Sequence, residues 1–532
     1  MLDLEVCLLL GLIATAAAWG QPQEVTHESL VMGGARTYRV FLPPSYKVAA
    51  KRFPVIYWFH GYEAQNEERD RALAAYVGSH DVILVDSGPA DLTGNFPLYL
   101  PELIEHIDRT LRTVPDRAHR AVTGFGSAGL LALWEAARSP ELVGSASSFA
   151  ADRETEAGPS GFPVSLSIDD LSGALAAAKT WQFDPNVDIA ATLDLHLKAF
   201  ADVAPKPEVF AIADPYPDFA AWNWEVASTR RSPGFTVLEN VSRAGFRSAV
   251  REWLPSGPPV ASVKLSVTSA RLYTPGAAIP VTYVHTADGK VRHVVQKADS
   301  QGRLTFDLDG DDYEIGVGAG AVLAASGYTV QDAAWATAGK PVKLKVTFLN
   351  KGAAKSVAEP LKWESPTPGL KFENPPARLF GLAPGESMAL PLTFTVADPA
   401  RSRARIVAIT AGGRTAIDVP LFPAAEAGAE FEIADGRPVE SYRHELGEGN
   451  RDGHASPGET FAILLREGGA LHAAEVFTND ACIENAIRVV ENGRRYSLPK
   501  IRASCEPGHV VHLLAHAGSR YAAIDFPVWY RP

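Results

Sequence analysis

Residues 120–129 read Arg-Ala-Val-Thr-Gly-Phe-Gly-Ser-Ala-Gly, and they decide the fold of the first part of this 532-residue chain. The run Ala121-Val122-Thr123 predicts a buried strand, and the apolar spacing at 130–138 predicts a helix directly after the glycines. Strand, tight turn and helix together form the basic unit of an α/β fold. The glycines at 124–129 fit either a Gly-x-Gly-x-x-Gly dinucleotide-binding loop or an altered Gly-x-Ser-x-Gly nucleophile turn.

The alternation of strands and helices extends over residues 21–254, which predicts a mainly parallel sheet covered by helices. After the Pro- and Gly-rich segment 255–259, the chain shows short alternating strands separated by Gly, Pro, Asp and Asn, as in all-β domains. We therefore expect a multidomain protein: an α/β domain at 21–254, a small β module at 260–325, an immunoglobulin-like β-sandwich at 326–424 and a C-terminal β domain at 425–532.

The N-terminus resembles an export signal. Residues 7–19 are almost wholly apolar, and the small residues at 14–18 suit a signal peptidase. Residues 1–20 are therefore predicted to be a signal peptide of a secreted, periplasmic or cell-envelope protein. No Lys or Arg precedes the apolar run, so a wrongly assigned start codon is the alternative. No later stretch is long and apolar enough to span a bilayer.

The net charge and the cysteine content indicate which partners and which cellular compartment to expect. The formal net charge of −12 argues against a nucleic-acid partner, because binding phosphates needs a cationic surface. Cys7 would be removed with the signal peptide, which leaves Cys482 and Cys505 as a pair. In an oxidising compartment we expect a disulfide between them; the alternative is two free thiols in a cytosolic protein.

Four segments carry a resemblance to a known family. Residues 36–46, 54–62, 120–125 and 139–148 are similar to the esterase D and feruloyl-esterase branch of the α/β-hydrolases, which includes the mycolyltransferases. The resemblance implies a serine nucleophile at the strand-to-helix turn and no cofactor for this domain. It also places His60, Gly61 and Tyr62 in the loop on the oxyanion side, where backbone amides stabilise the reacting oxygen.

The turn itself departs from the family pattern, which is like Gly-Phe-Ser-Met-Gly-Gly. Aligned without gaps, Gly126 occupies the nucleophile position and Ser127 falls one residue later. A shift by one residue would bring Ser127 to the turn, but it would place Phe125 where the first glycine is usual. The dinucleotide interpretation is disfavoured, because such a loop normally lies near the start of its domain, and here about a hundred residues of strands and helices precede it. Asp152, the downstream acid that would bind the ribose, also lies further from the glycines than expected.

The general base is also missing from its expected place. In this fold the histidine follows the acid, after the last strand of the domain, which we place at 208–213. The loop at 214–224 contains no histidine, and His196 is expected mid-helix, facing away from the turn. Acids are available at Asp169 and Asp170, but a serine nucleophile needs a proton acceptor of near-neutral pKa within hydrogen-bonding distance.

Three functions follow as hypotheses. The first is an exported esterase-like protein that has lost catalysis and binds a carbohydrate or an ester, or acts as a scaffold. The second is an active carboxylic-ester hydrolase, of the feruloyl or acetyl type, that uses Ser127. The third is a structural or adhesive β-module envelope protein.

Residues 448–459 nearly fit the twelve-residue calcium loop. Oxygen donors fall at Glu448, Asn450, Asp452 and Glu459, with Gly453 at the sharp turn. A structural calcium ion is one interpretation, and a polar turn without an ion is the other. The acidic stretch 307–312 is expected to be a simple turn between two strands.

Overall fold

The computed structural model describes residues 22–48, 50–61, 66–151, 154–203, 206–255, 257–442, 444–467, 469–491 and 494–529. The predicted signal peptide, Cys7, Tyr62 and Asp152 lie outside the described residues. The described chain forms two compact units. The first comprises residues up to 161 together with 166–207, and the second comprises 162–165 together with 208–529.

The first unit is built around a seven-stranded sheet covered by helices. The elements up to residue 207 are β1 Gln23–Ser29, β2 Gly34–Phe41, β3 Val55–His60, α1 Glu67–Ser79, β4 Ile83–Pro89, α2 Phe96–Thr110, β5 Arg120–Phe125, α3 Ser127–Arg138, β6 Ser145–Phe149, β7 Glu154–Ala157, β8 Val164–Ser167, α4 Ile168–Leu175, β9 Lys179–Phe183 and α5 Ile189–Ala199. The first two residues of β8 belong to the second unit. The strand order in the sheet is β1-β2-β4-β3-β5-β6-β9. Strands β3, β4, β5, β6 and β9 are parallel, while β1 and β2 run antiparallel to their neighbours.

Burial explains this arrangement. Every residue of β3 and β6 is buried, as expected of parallel strands covered by helices on both faces. One face packs Ile56 and Trp58 of β3 against Leu73 of α1 and Leu193 of α5. Helix α3 is buried from Ala128 to its end. The predicted α/β architecture is therefore present in the first unit.

The end of this unit differs from the predicted boundary at residue 254. Strand β10, Phe210–Asp214, pairs antiparallel with β13, Phe235–Ser242, in the second unit. Its burial alternates along the strand, which is typical of a half-exposed antiparallel strand and unlike the continuous burial of β3. A short apolar run has the same sequence pattern in a buried parallel strand and in a half-exposed antiparallel strand. The sequence therefore does not show that the first unit ends before β10.

The described part of the second unit consists of strands in antiparallel sheets, apart from the parallel pairing of β29, Glu426–Ala427, with β39, Arg520–Pro527. Three successive groups of buried side chains lie at residues 210–317, 323–421 and 433–528. The first group begins well before residue 260, the predicted start of the small β module. An all-β region is thus present, while its immunoglobulin-like character stays a prediction.

The strands of the first group are β10 and β13, together with β11 Phe219–Ala221, β12 Trp224–Ser228, β14 Gly245–Arg251, β15 Lys264–Thr268, β16 Ala278–His285, β17 Val291–Lys297, β18 Thr305–Asp309 and β19 Tyr313–Val317. Those of the second are β20 Leu323–Gln331, β21 Val342–Asn350, β22 Glu359–Pro360, β23 Lys362–Glu364, β24 Leu370–Glu373, β25 Arg378–Leu379, β26 Ser387–Val396, β27 Arg403–Thr410 and β28 Gly413–Pro420. Those of the third are β29 Glu426–Ala427, β30 Phe431–Ala434, β31 Arg437–Pro438, β32 Glu445–Leu446, β33 Ala462–Glu467, β34 Ala470–Ala473, β35 Glu475–Phe477, β36 Ile483–Glu491, β37 Arg494–Ile501, β38 Val510–Ala517 and β39 Arg520–Pro527.

The predicted disulfide is confirmed. Cys482 and Cys505 are bonded, with their Cα atoms 5.2 Å apart, and both lie beside the core of the third group. Among the described residues, no helix is both long enough and apolar enough to cross a membrane.

Candidate functional site

The turn between β5 and α3 is formed by Gly126. Its φ of 60° and ψ of −132° lie where L-residues with a side chain are strained, which favours glycine. The Gly126 amide donates to the Phe149 carbonyl at 2.9 Å, and the Gly126 carbonyl accepts from the Gly129 amide at 2.9 Å. These two hydrogen bonds attach the turn to the neighbouring strand β6 and to the first turn of α3.

The glycines on either side of Gly126 allow the helix to pack closely on the strand. A Cβ atom at Gly124 would lie 2.4 Å from the Ala128 carbonyl oxygen, and one at Gly129 would lie 2.9 Å from the Gly124 carbonyl oxygen. At Gly126 a Cβ atom would meet nothing within 4 Å. Space for a small side chain therefore exists at the turn, and no side chain fills it.

Ser127 is the first residue of α3 and is partly exposed. Its hydroxyl makes no hydrogen bond with any residue in the described part of the chain. Phe125, just before the turn, exposes 40% of its surface. The edge of the sheet at the turn therefore presents an aromatic ring, an open glycine and a hydroxyl without an activating partner.

His196, the histidine nearest in sequence to the expected base, is fully buried in α5. Its Nδ1 lies 2.9 Å from Ser145 Oγ, and its Nε2 lies 2.9 Å from Ser147 Oγ. One ring nitrogen donates and the other accepts, so both are occupied by hydroxyls of β6. Burial lowers the pKa of His196 to about 3, which suits a neutral structural imidazole.

Acid is expected to destabilise the first unit through His196. The unfolded histidine has a pKa near 6.5, so the unfolded chain binds an extra proton as the pH falls from about 6.5 towards 3, and the native state loses stability over that range. The loss should reach about 2.5 kcal/mol between pH 7 and pH 4.5. Hydrogen exchange of peptides from α5 and β6, compared with a His196→Asn variant, measures it. Equal pH dependence in the two proteins would contradict the assignment.

His60, predicted on the oxyanion side, has both ring nitrogens occupied. Nδ1 lies 2.7 Å from the Gly61 carbonyl oxygen, and Nε2 lies 3.1 Å from Asp86 Oδ1. Asp86 also accepts from Arg39, which forms a second ion pair with Asp70 of α1. Burial acts to raise the pKa of Asp86, but His60 and Arg39 outweigh it and lower that pKa. His60 thus belongs to a buried ionic network.

Of the two candidate acids, Asp170 caps a helix. It lies in the first turn of α4, where it accepts from the Ser167 amide at 2.9 Å while its own amide donates to Ser167 Oγ. Ser-Ile-Asp-Asp at 167–170 is a capping box, and this pattern is visible in the sequence. Asp169 lies in the same first turn. Asp184 directly follows β9 at the same edge of the sheet as Gly126. Three of the five residues of β9 are polar, so the sequence does not predict this strand or place Asp184 at this edge.

The predicted calcium ligands lie in one loop but bond to its backbone. Glu459 accepts from the amides of Asn450 and Ser456, both at 3.1 Å. Asp435, which the sequence did not suggest, is fully buried and accepts from the Asp452 amide at 2.9 Å and from the Gly453 amide. Glu448 pairs through its backbone with Thr460. Calcium binding stays a prediction.

Comparison with known proteins agrees with the fold of the first unit. Residues 98–192 match the family described as "Putative esterase", and this stretch includes the turn at Gly126. The match confirms the resemblance of this part of the chain to an esterase-like α/β-hydrolase family. No curated protein sequence matches the chain.

Several solved structures are similar to part of the chain. A ferulic acid esterase is 23% identical over 25% of this chain, with a TM-score of 0.23; the chain spans 62% of that protein's length. A ferulic acid esterase from Anaeromyces mucronatus is 17% identical over 34% of this chain and 89% of its own, with a TM-score of 0.26. An S-formylglutathione hydrolase from Agrobacterium tumefaciens is 16% identical over 36% of this chain and 98% of its own, with a TM-score of 0.25.

Proposed function

We propose that the first unit is an esterase-like domain that no longer hydrolyses esters and that serves as a binding or scaffold domain. One observation carries this proposal: Gly126 occupies the turn between β5 and α3, with the strained backbone of a nucleophile position and no side chain. A serine hydrolase needs its hydroxyl at this turn, where it is exposed above the sheet. Ser127 instead begins the helix.

The absence of a base supports the same proposal. Both ring nitrogens of His196 and of His60 bond to other groups. Within the described residues, no histidine bonds to Ser127. Hydroxyl and base would each have to be restored, because a serine without a proton acceptor is a weak nucleophile at neutral pH. Loss of either group alone leaves only a small part of the catalysis of a complete triad.

The disulfide supports the proposed export, because such bonds persist in oxidising compartments. In a secreted, periplasmic or envelope protein, the open edge at Phe125 and Gly126 is suited to an ester or a carbohydrate. The missing side chain lets a ligand approach the backbone more closely than a serine would allow.

Ester hydrolysis tests the proposal. Wild type and Ser127→Ala are expected to hydrolyse 4-nitrophenyl acetate at the same rate, equal to the rate in buffer, because Ser127 lacks a base. Gly126→Ser places a hydroxyl at the turn, where a Cβ atom meets nothing within 4 Å, and it should also stay inactive.

Two results would contradict this expectation. Turnover that disappears in Ser127→Ala would show that Ser127 is a working nucleophile. Turnover gained in Gly126→Ser would show that a base is present and that only the hydroxyl was lost. An active serine esterase, assayed in parallel, establishes the sensitivity of the measurement.

A further inference from the structure

A polar groove of about 660 Å³ lies in the second unit, on the outer face of the sheet that contains β12, β15 and β18. Arg292 of β17 and Tyr313 of β19 line it from the neighbouring sheet. The residues that line the groove lie at 218–313, far along the chain from the turn at 124–129.

The register of the strands sets cations and carboxylates side by side in the groove. Lys264 of β15 pairs with Asp309 of β18, and Ser266 pairs with Asp307. Because side chains alternate between the two faces of a strand, these four lie on the outer face, while Leu265 between them is buried. The groove is thus lined by regularly spaced polar groups over an apolar floor.

Three cations in the groove have no acidic partner. Arg231, Lys264 and Arg292 form no ion pair within the described part of the chain. The Arg292 guanidinium lies 4.0 Å from the centre of the Tyr283 ring, and this cation–π contact holds it at the groove. Each of these cations can form a charge-assisted hydrogen bond with a negatively charged group of a ligand.

The carboxylates of the groove bond only to neutral donors. Asp307 accepts from Ser266 Oγ at 3.1 Å, and Asp309 accepts from the Tyr313 hydroxyl at 3.2 Å. Asp218 accepts from the Ser228 amide at 3.3 Å. Each carboxylate keeps free lone pairs, which suit hydroxyl donors of a ligand.

We propose that this groove binds an acidic saccharide, a sugar chain whose rings carry both carboxylate and hydroxyl groups. The carboxylates would meet Arg231, Lys264 and Arg292, and the hydroxyls would donate to Asp218, Asp307 and Asp309. The three aspartates disfavour a nucleic acid, whose phosphates are closely spaced.

Binding to short oligogalacturonates, measured by isothermal titration calorimetry with the full-length protein, tests the proposal. The methyl-esterified form of the same oligosaccharide serves as the uncharged probe. We expect binding of the acidic form, weakened by added salt, and roughly tenfold weaker binding of the esterified form. Alginate and glucuronate oligosaccharides extend the test to other uronates.

Variants locate the site. Lys264→Ala and Arg292→Gln should each weaken binding by roughly tenfold, because each removes one charge-assisted hydrogen bond. Lys371→Ala, which removes an exposed strand lysine outside the groove, should leave affinity unchanged. Arg292 also packs on Tyr283, so weaker binding by Arg292→Gln counts only if the melting temperature of this variant is unchanged. Lys264 is exposed, so Lys264→Ala provides a second variant that is not expected to affect folding.

Three results would overturn the proposal. The first is the absence of binding to all three kinds of uronate at millimolar concentration. The second is equal affinity for the acidic and esterified forms. The third is unchanged affinity in Lys264→Ala. None of these measurements depends on ester hydrolysis, so the groove and the proposed function of the first unit can fail independently.

Discussion

Replacing Gly124 by alanine is expected to destabilise the first unit by about 3 kcal/mol or more. The new Cβ atom would lie 2.4 Å from the Ala128 carbonyl oxygen and 2.7 Å from its carbonyl carbon. Both atoms belong to the backbone of the first turn of α3, so no side-chain rotation relieves the contact. The helix would have to move away from β5, which disrupts the buried packing along α3.

Hydrogen exchange measures this effect separately for each unit, since a chain of several cores is not expected to unfold in two states. Peptides from α3 and β5 should lose protection in Gly124→Ala, while peptides from β36–β39 should not change. The matched control is Gly78→Ala in α1, where a Cβ atom meets nothing within 4 Å and alanine favours the helix. Native protection of α3 in Gly124→Ala would contradict the close approach of helix and strand.

Replacing Lys351 by methionine is expected to destabilise the second unit by about 3–5 kcal/mol. Lys351 Nζ lies 2.9 Å from Glu314 Oε2, and the two side chains are only 3% and 1% exposed. Methionine would leave the buried Glu314 carboxylate without the ammonium group that bonds to it, with Arg247 on the neighbouring strand as the cation that remains nearby. Glu314 lies in β19 and Lys351 directly follows β21, so the pair joins the first group of buried side chains to the second. Without the pair, the two groups should unfold less cooperatively.

A double-mutant cycle checks this prediction. Lys351→Met combined with Glu314→Leu should recover most of the lost stability, because no buried charge remains unpaired. The exposed pair between Lys343 and Asp332 provides the control, and Lys343→Met should cause no measurable change. Equal loss in the single and double variants would show that packing, and not the unpaired charge, determines the effect.

Several features could be predicted from particular residues. The strand, turn and helix at 120–138 follow from an apolar run, three glycines and helical spacing, and all three elements are present. The disulfide could be predicted because Cys482 and Cys505 are the two cysteines that lie outside the predicted signal peptide. These inferences succeed because they depend on short segments, or on a count of one residue type.

Other features depend on partners that are distant in sequence. The sequence predicts β10 as the last strand of the α/β domain, because a short apolar run does not indicate which strand it will pair with. The contacts of His196 with Ser145 and Ser147 join residues about fifty positions apart. The sequence also gave no reason to place Asp435 in the loop at 448–459.

The sequence by itself determined the α/β character of the first part of the chain, the β character of the rest, the disulfide, and the glycine at the turn where a nucleophile is expected. Those properties follow from local spacing and composition. Only the tertiary structure decided where the first unit ends, that the ring nitrogens of His196 and His60 are occupied, and that Lys264 and Arg292 line one groove. Burial and side-chain pairing arise when distant strands come together, and neither is encoded in any single segment.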